Sequence, residues 1–125
     1  RRQGEKSMKP LISIIIPCFN TAEYLPQCME SLEKQTIGFD KLQFIFVDDA
    51  STDDNKTWNC IVQFEHIHPN EVIAVHLDEN RAQGGAKNIG ISYAEAEYIG
   101  FVDSDDYVHP RFYELLLQQL LYHLM

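Results

Sequence analysis

Three aspartates stand within four residues, Asp103-Ser-Asp-Asp106, directly after an apolar run, Tyr98-Ile-Gly-Phe-Val102. The run reads as a buried strand. Side chains alternate along a strand, so Asp103 and Asp105 point to one side if the chain stays extended through Ser104. Two carboxylates so placed repel each other unless a positive charge lies between them. A hard divalent cation answers that need: oxygen ligands suit Mg2+ or Mn2+, and a substrate's phosphates commonly complete the shell. The same segment also reads as an acidic turn that ends a strand and caps the next helix. A second acidic group, Asp48 to Asp54, closes the run Leu42–Val47. A carboxylate there can accept from a nucleobase imide or a ribose hydroxyl, while Ser51, Thr52 and Asp53 are suited to start a helix.

These groups need elements to carry them. Leu11–Ile16 is β-branched and nearly all apolar, the pattern of a central parallel strand, and Pro17 is expected to stop it. Asn20 and Thr21 can cap a helix with Leu25, Cys28, Met29 and Leu32 at helical spacing, and Gly38 closes that unit. After Leu42–Val47, a helix is expected from about Asn55 to His66, carrying Trp58, Ile61, Val62 and Glu65. A strand Val72–Leu77 follows, then a helix from about Ala86 to Glu95 with Ala86, Ile89, Gly90 and Tyr93 inward. The pair Gly84-Gly85 ahead of that helix either offers N–H groups to a phosphate or simply loosens the turn. Beyond Tyr98–Val102, Pro110 suits the start of a last helix with Phe112, Leu115, Leu116, Gln119 and Leu120 in one stripe.

Strand and helix alternate four times, which predicts an α/β fold: a Rossmann-like, mainly parallel sheet with helices on both faces. Ligands in such sheets sit beyond the carboxyl ends of the strands, where strand order reverses. The loops expected there are Pro17 to Asn20, Asp48 to Asp54, Asp78 to Gly85 and Asp103 to Asp106. The loop after the first strand lacks Gly-x-Gly-x-x-Gly, which argues against a nicotinamide enzyme, and no Walker-type loop occurs. Residues 1–10 read as a flexible arm and 11–125 as one domain.

The net charge is -9. Arg1, Arg2, Lys6 and Lys9 against Glu5 give the first ten residues +3, so the remainder carries -12. That balance argues against nucleic acid as a partner. No apolar run approaches the ~20 residues that span a bilayer, so a soluble, cytoplasmic protein is expected. Cys18, Cys28 and Cys60 lack metal-ligand spacing and read as reduced thiols.

Four segments in order, Ile14 to Asn20, Phe46 to Asp53, Asn80 to Gly90 and Phe101 to Asp106, resemble the donor-binding half of family 2 glycosyltransferases, which have the GT-A fold. The resemblance implies a nucleotide-diphosphate sugar, most often a UDP-sugar, bound with Mn2+ or Mg2+, and transfer with inversion to an acceptor glycan or lipid-linked glycan. It implies that Pro17 and Phe19 line the base and ribose pocket, that Asp49 contacts the base and that Asp48 lies beside it. Asp103 would contact ribose or metal-bound water, and Asp105 would ligate the metal together with Asp103. Asn20, Lys87 and Ser104 complete the implied donor site. The usual Asn-x-Gly-x-x-x-Ala-Arg-Asn appears as Asn80 to Asn88, with Ala82 for the glycine and Lys87 for the arginine. Lysine lacks the planar fork of arginine, a loss for which Arg81 is the nearest compensation. The family's general base is expected beyond Met125, so the chain by itself is expected to be inactive. Through that further part the full-length protein would associate with a membrane surface, and Leu116 to Leu124 would pair with the missing half or with a second copy of the chain. A non-catalytic nucleotide-binding or assembly module that keeps the fold is the alternative.

Overall fold

A computed structural model describes residues 9–124. Nearly all of the expected arm lies outside the described residues. The element order is β1 (Ile12–Cys18), α1 (Leu25–Glu33), a 3-10 turn (Phe39–Lys41), β2 (Leu42–Asp48), α2 (Lys56–Ile67), β3 (Val72–His76), α3 (Ala82–Ile91), β4 (Tyr98–Phe101) and α4 (Phe112–Leu124). The four strands form one parallel sheet in the order β3-β2-β1-β4. Order therefore reverses between β1 and β4, and the crevice expected of such sheets opens beyond their carboxyl ends.

Helices cover both faces, as the alternation predicts. Ile12, Ile14 and Ile16 of β1 and Phe44 and Phe46 of β2 point to one face, against Leu25, Cys28 and Leu32 of α1 and Ile61 and Phe64 of α2. Ile15, Ile45 and Val47 point to the other, beneath Ala86 and Ile89 of α3. The polar interruptions in these strands have a purpose. Ser13 and Gln43 are a buried cross-strand pair. Their side chains accept the amides of Glu95 and Ala96, which satisfies the link from α3 to β4 inside the protein.

Several boundaries differ from expectation for identifiable reasons. Pro17 does not stop β1; it pairs with Val47, and β1 runs on to Cys18. The Ile15 carbonyl accepts the Val102 amide, so by alternation the nitrogen of Pro17 faces the β4 side, where the ladder has ended. Strand β4 is a half-exposed edge rather than a buried strand: Ile99 and Phe101 lie uncovered. Helix α1 starts at Leu25, without a side-chain cap, after a turn in which the Thr21 carbonyl accepts the amides of Tyr24 and Leu25. Asn20 and Thr21 therefore do not cap it. In α2 the buried residues are Thr57, Ile61 and Phe64, while Val62 is exposed.

Helix α3 begins a turn early, at Ala82, so Gly84 and Gly85 lie within it rather than before it. The Asn80 side chain accepts the Ala82 amide, and the Asp49 carboxylate accepts that of Arg81, which together fix this start. The helix ends at Ile91, leaving Tyr93 exposed rather than inward. In α4 the inward residue is Tyr113, which is buried. Phe112, Leu115 and Leu116 of the expected stripe face out, and the ring that packs against Gly100 of β4 is that of Tyr113. Among the described residues no helix is long and apolar enough to cross a membrane, and the three cysteines are free thiols.

Candidate functional site

All the carboxyl-end loops converge on one cleft of about 570 Å3, lined by Pro17, Cys18, Phe19, Thr21, Asp49, Gln83, Lys87, Asp103, Ser104 and Asp105. That volume is within the roughly 300–1,000 Å3 of small-molecule sites. Strand β1 supplies Pro17 and Cys18 from its last turn of ladder. Phe19 follows, 45% exposed, an apolar wall at the mouth. Asp49 comes from the end of β2, Gln83 and Lys87 from α3, and the remaining residues from the segment after β4.

The two aspartates that end β2 do different things, since neighbours on a strand face opposite ways. Asp49 faces the cleft, with one oxygen accepting the Arg81 amide at 2.7 Å. Asp48 does not reach the cleft. Its side chain is 1% exposed, and its oxygens meet the Ser51 amide and His76 Nδ1, each at 3.1 Å. Asn20 is likewise turned away: it sits at φ 52 and bonds the amide and hydroxyl of Thr52.

The chain after β4 does not stay extended. The Asp106 amide donates to the Asp103 carbonyl, closing a turn around Ser104 and Asp105, and Ser104 is buried beneath it. The turn still brings carboxylates together, and it adds one. Asp103, Asp105 and Asp106 each offer an oxygen, all within 4.8 Å of one another and open to solvent. Strand alternation would have sent Asp106 the other way, so only the turn recruits it. The Gln83 amide donates to Asp103 at 3.2 Å, linking α3 to the cluster. Below it lies the Cys28 thiol, pushed up to about 12 by burial and then by Asp106 and Asp105. Three oxygen donors without a sulfur or nitrogen fit a hard divalent cation such as Mg2+ or Mn2+.

Lys87 is the one basic side chain among the lining residues, with Nζ 5.1 Å from the centre of the Phe101 ring. This ring holds the cation over the acidic cleft by a cation–π contact. Cys18, Thr21 and Gln83 were not expected as site residues from the sequence. Their only signal was position: Cys18 within the Pro17–Asn20 loop, Thr21 just after it, and Gln83 within the Asp78–Gly85 loop.

Comparison with known proteins agrees with this geometry. The family model for glycosyl transferase family 2 matches residues 13–123. Glycosyltransferase GlyG of Streptococcus pneumoniae is 40% identical over 113 residues, which are 90% of this chain and 36% of that protein. The minor teichoic acid biosynthesis protein GgaB of Bacillus subtilis is 36% identical over 91% of this chain and 12% of its own length. The chain thus spans about a third or less of these relatives. Among solved structures, S. aureus TarS 1-349 in complex with UDP superposes with a TM-score of 0.79 at 29% identity, over 93% of this chain and 33% of that one. The mannosyltransferase PcManGT of Pyrobaculum calidifontis, in complex with GDP-Man and Mn2+, gives 0.68 at 25% identity, over 81% and 29%. The parallel sheet is of the GT-A type expected. By its sequence across nearly its whole length, and by a fold that matches, the chain belongs to glycosyl transferase family 2.

Proposed function

We propose that this chain is the donor-binding half of an inverting glycosyltransferase that uses a UDP-sugar with Mn2+ or Mg2+ and transfers the sugar to a hydroxyl of a glycan or lipid-linked glycan. One observation carries the reading: a single cleft at the strand-order reversal is lined by Asp49 and by Asp103 and Asp105, whose carboxylates cluster with that of Asp106. The complexes of TarS with UDP and UDP-GlcNAc, and of PcManGT with GDP-Man and Mn2+, support it by likeness.

In this reading the Phe19 ring and Pro17 take the face of the base. The Asp49 oxygen not held by Arg81 accepts from the base imide or a ribose hydroxyl. Asp105, with Asp103 and Asp106, holds the cation, and Gln83 fixes Asp103 for that purpose. The bound cation would act as a Lewis acid for the departing diphosphate. Lys87 adds fixed positive charge on the same wall, which an anionic donor needs in a chain of net charge -9. Inversion requires the acceptor oxygen to attack the anomeric carbon opposite the leaving diphosphate. The base that takes the acceptor's proton is assigned to the part of such enzymes that this chain does not span.

Titration calorimetry of UDP, with and without Mn2+, tests the reading against Asp105→Ala. Binding should require the cation and weaken at least tenfold in the variant, the loss expected for a charge-assisted contact. Cation-independent binding that the substitution leaves unchanged would refute it.

A further inference from the structure

We infer that His76, outside the cleft, is a positioning residue for donor binding: through Asp48 it holds the two loops that carry Phe19 and Asp49. The inference rests on the donor reading of the cleft.

His76 and Asp48 are direct cross-strand partners at the ends of β3 and β2. A carboxylate only accepts, so the 3.1 Å contact puts a proton on His76 Nδ1. The ring is half out of the protein, its side chain 41% exposed, and it leans on Trp58 with centroids 5.0 Å apart. Asp48 is its opposite, a carboxylate at 1% exposure that needs partners for both oxygens. Its second oxygen takes the Ser51 amide. From there the bonds run on without a gap. Ser51 Oγ accepts the Asn20 amide at 3.0 Å, and the Asn20 side chain accepts the Thr52 amide at 2.7 Å while donating to the Thr52 hydroxyl. Phe19 precedes Asn20, and Asp49 follows Asp48.

These loops need holding. Asn20 and Ala50 sit at φ 52 and 57, where non-glycine residues are strained unless their surroundings fix them. The chain of hydrogen bonds supplies that restraint on the side away from the ligand. The carboxylate turn at residues 103–106 has no member in it, so the base-facing wall and the cation-facing wall are separately adjustable.

The test measures the UDP dissociation constant at saturating Mn2+, the Mn2+ affinity without nucleotide, and amide exchange at Asn20, Ser51 and Thr52. It compares the unaltered chain with His76→Ala and His76→Asn; the asparagine amide branches where Nδ1 does. His76→Ala should weaken UDP about tenfold, the effect of one hydrogen bond to a charged group. It should leave Mn2+ affinity unchanged and speed exchange at the three amides, and His76→Asn should restore both. Unchanged UDP affinity in His76→Ala overturns the inference, as does equal weakening in both variants, because the hydrogen bond would then not be the cause. If the unaltered chain fails to bind UDP, the donor reading fails. Exchange that stays slow in His76→Ala overturns the loop-holding role whether or not UDP binds.

Discussion

Replacing Gly90 by alanine places a methyl carbon 2.5 Å from Ile15 Cγ2 and 3.3 Å from both Ile15 Cγ1 and Val47 Cγ2. Carbon atoms pack at about 3.5–4.0 Å, so the first contact is short by at least about 1 Å. Ile15 and Val47 are fully buried in the layer beneath α3 and have no empty space to rotate into. The helix must lift from the sheet by about that distance. Overpacking of this kind costs about 1–3 kcal/mol, offset by up to ~1 kcal/mol from the helix propensity of alanine. A net loss of about 1–2 kcal/mol lowers the melting temperature of a domain this size by roughly 3–10 °C. The same displacement moves Gln83 and Lys87 in the cleft, so UDP affinity should fall with stability. Gly84→Ala is the internal contrast: an added methyl there meets nothing within 4 Å, and the variant should gain about 0.5–1 kcal/mol. Thermal and urea unfolding of both variants decide the matter. A Gly90→Ala chain as stable as its parent would mean that α3 does not rest on Ile15 as described.

Ala82 stands at φ 59, where the family pattern has glycine, so Ala82→Gly should stabilise by about 0.5–1 kcal/mol in urea unfolding. Asp53 is raised by burial but lowered more by the hydroxyl and amide of Thr57, leaving its carboxyl below the usual range. Its contribution is therefore present above the unfolded carboxyl value near ~4 and fades as pH falls through the lower folded value. Asp53→Ala should cost about 1 kcal/mol at pH 7, from the lost hydrogen bonds to Thr57 at the start of α2, and progressively less as the pH falls below ~4. All three thiols are held above their ordinary range by burial. A thiol reagent at pH 8 should thus modify half-exposed Cys60 first and slowly, with Cys18 and Cys28 reacting only on unfolding; prompt labelling of Cys18 in the folded chain would contradict this.

The sequence itself determined the alternation of strand and helix, because apolar runs of five or six residues and helical spacings are local properties. It also determined the acidic rim, since each loop follows a readable strand, and the four family segments in order. Where packing chooses between local options, it was silent. Period two says that Asp48 and Asp49 face opposite ways, but not which of them meets the cleft. Tertiary packing settled it: Asp49 lines the cleft, and Asp48 is buried against Ser51 and His76. Asp106 joined its two neighbours through a turn whose closing bond depends on the strand ending at Phe101. The inward face of α4 was likewise set by what lay beneath it: Tyr113 is the residue that packs inward, with its ring against Gly100.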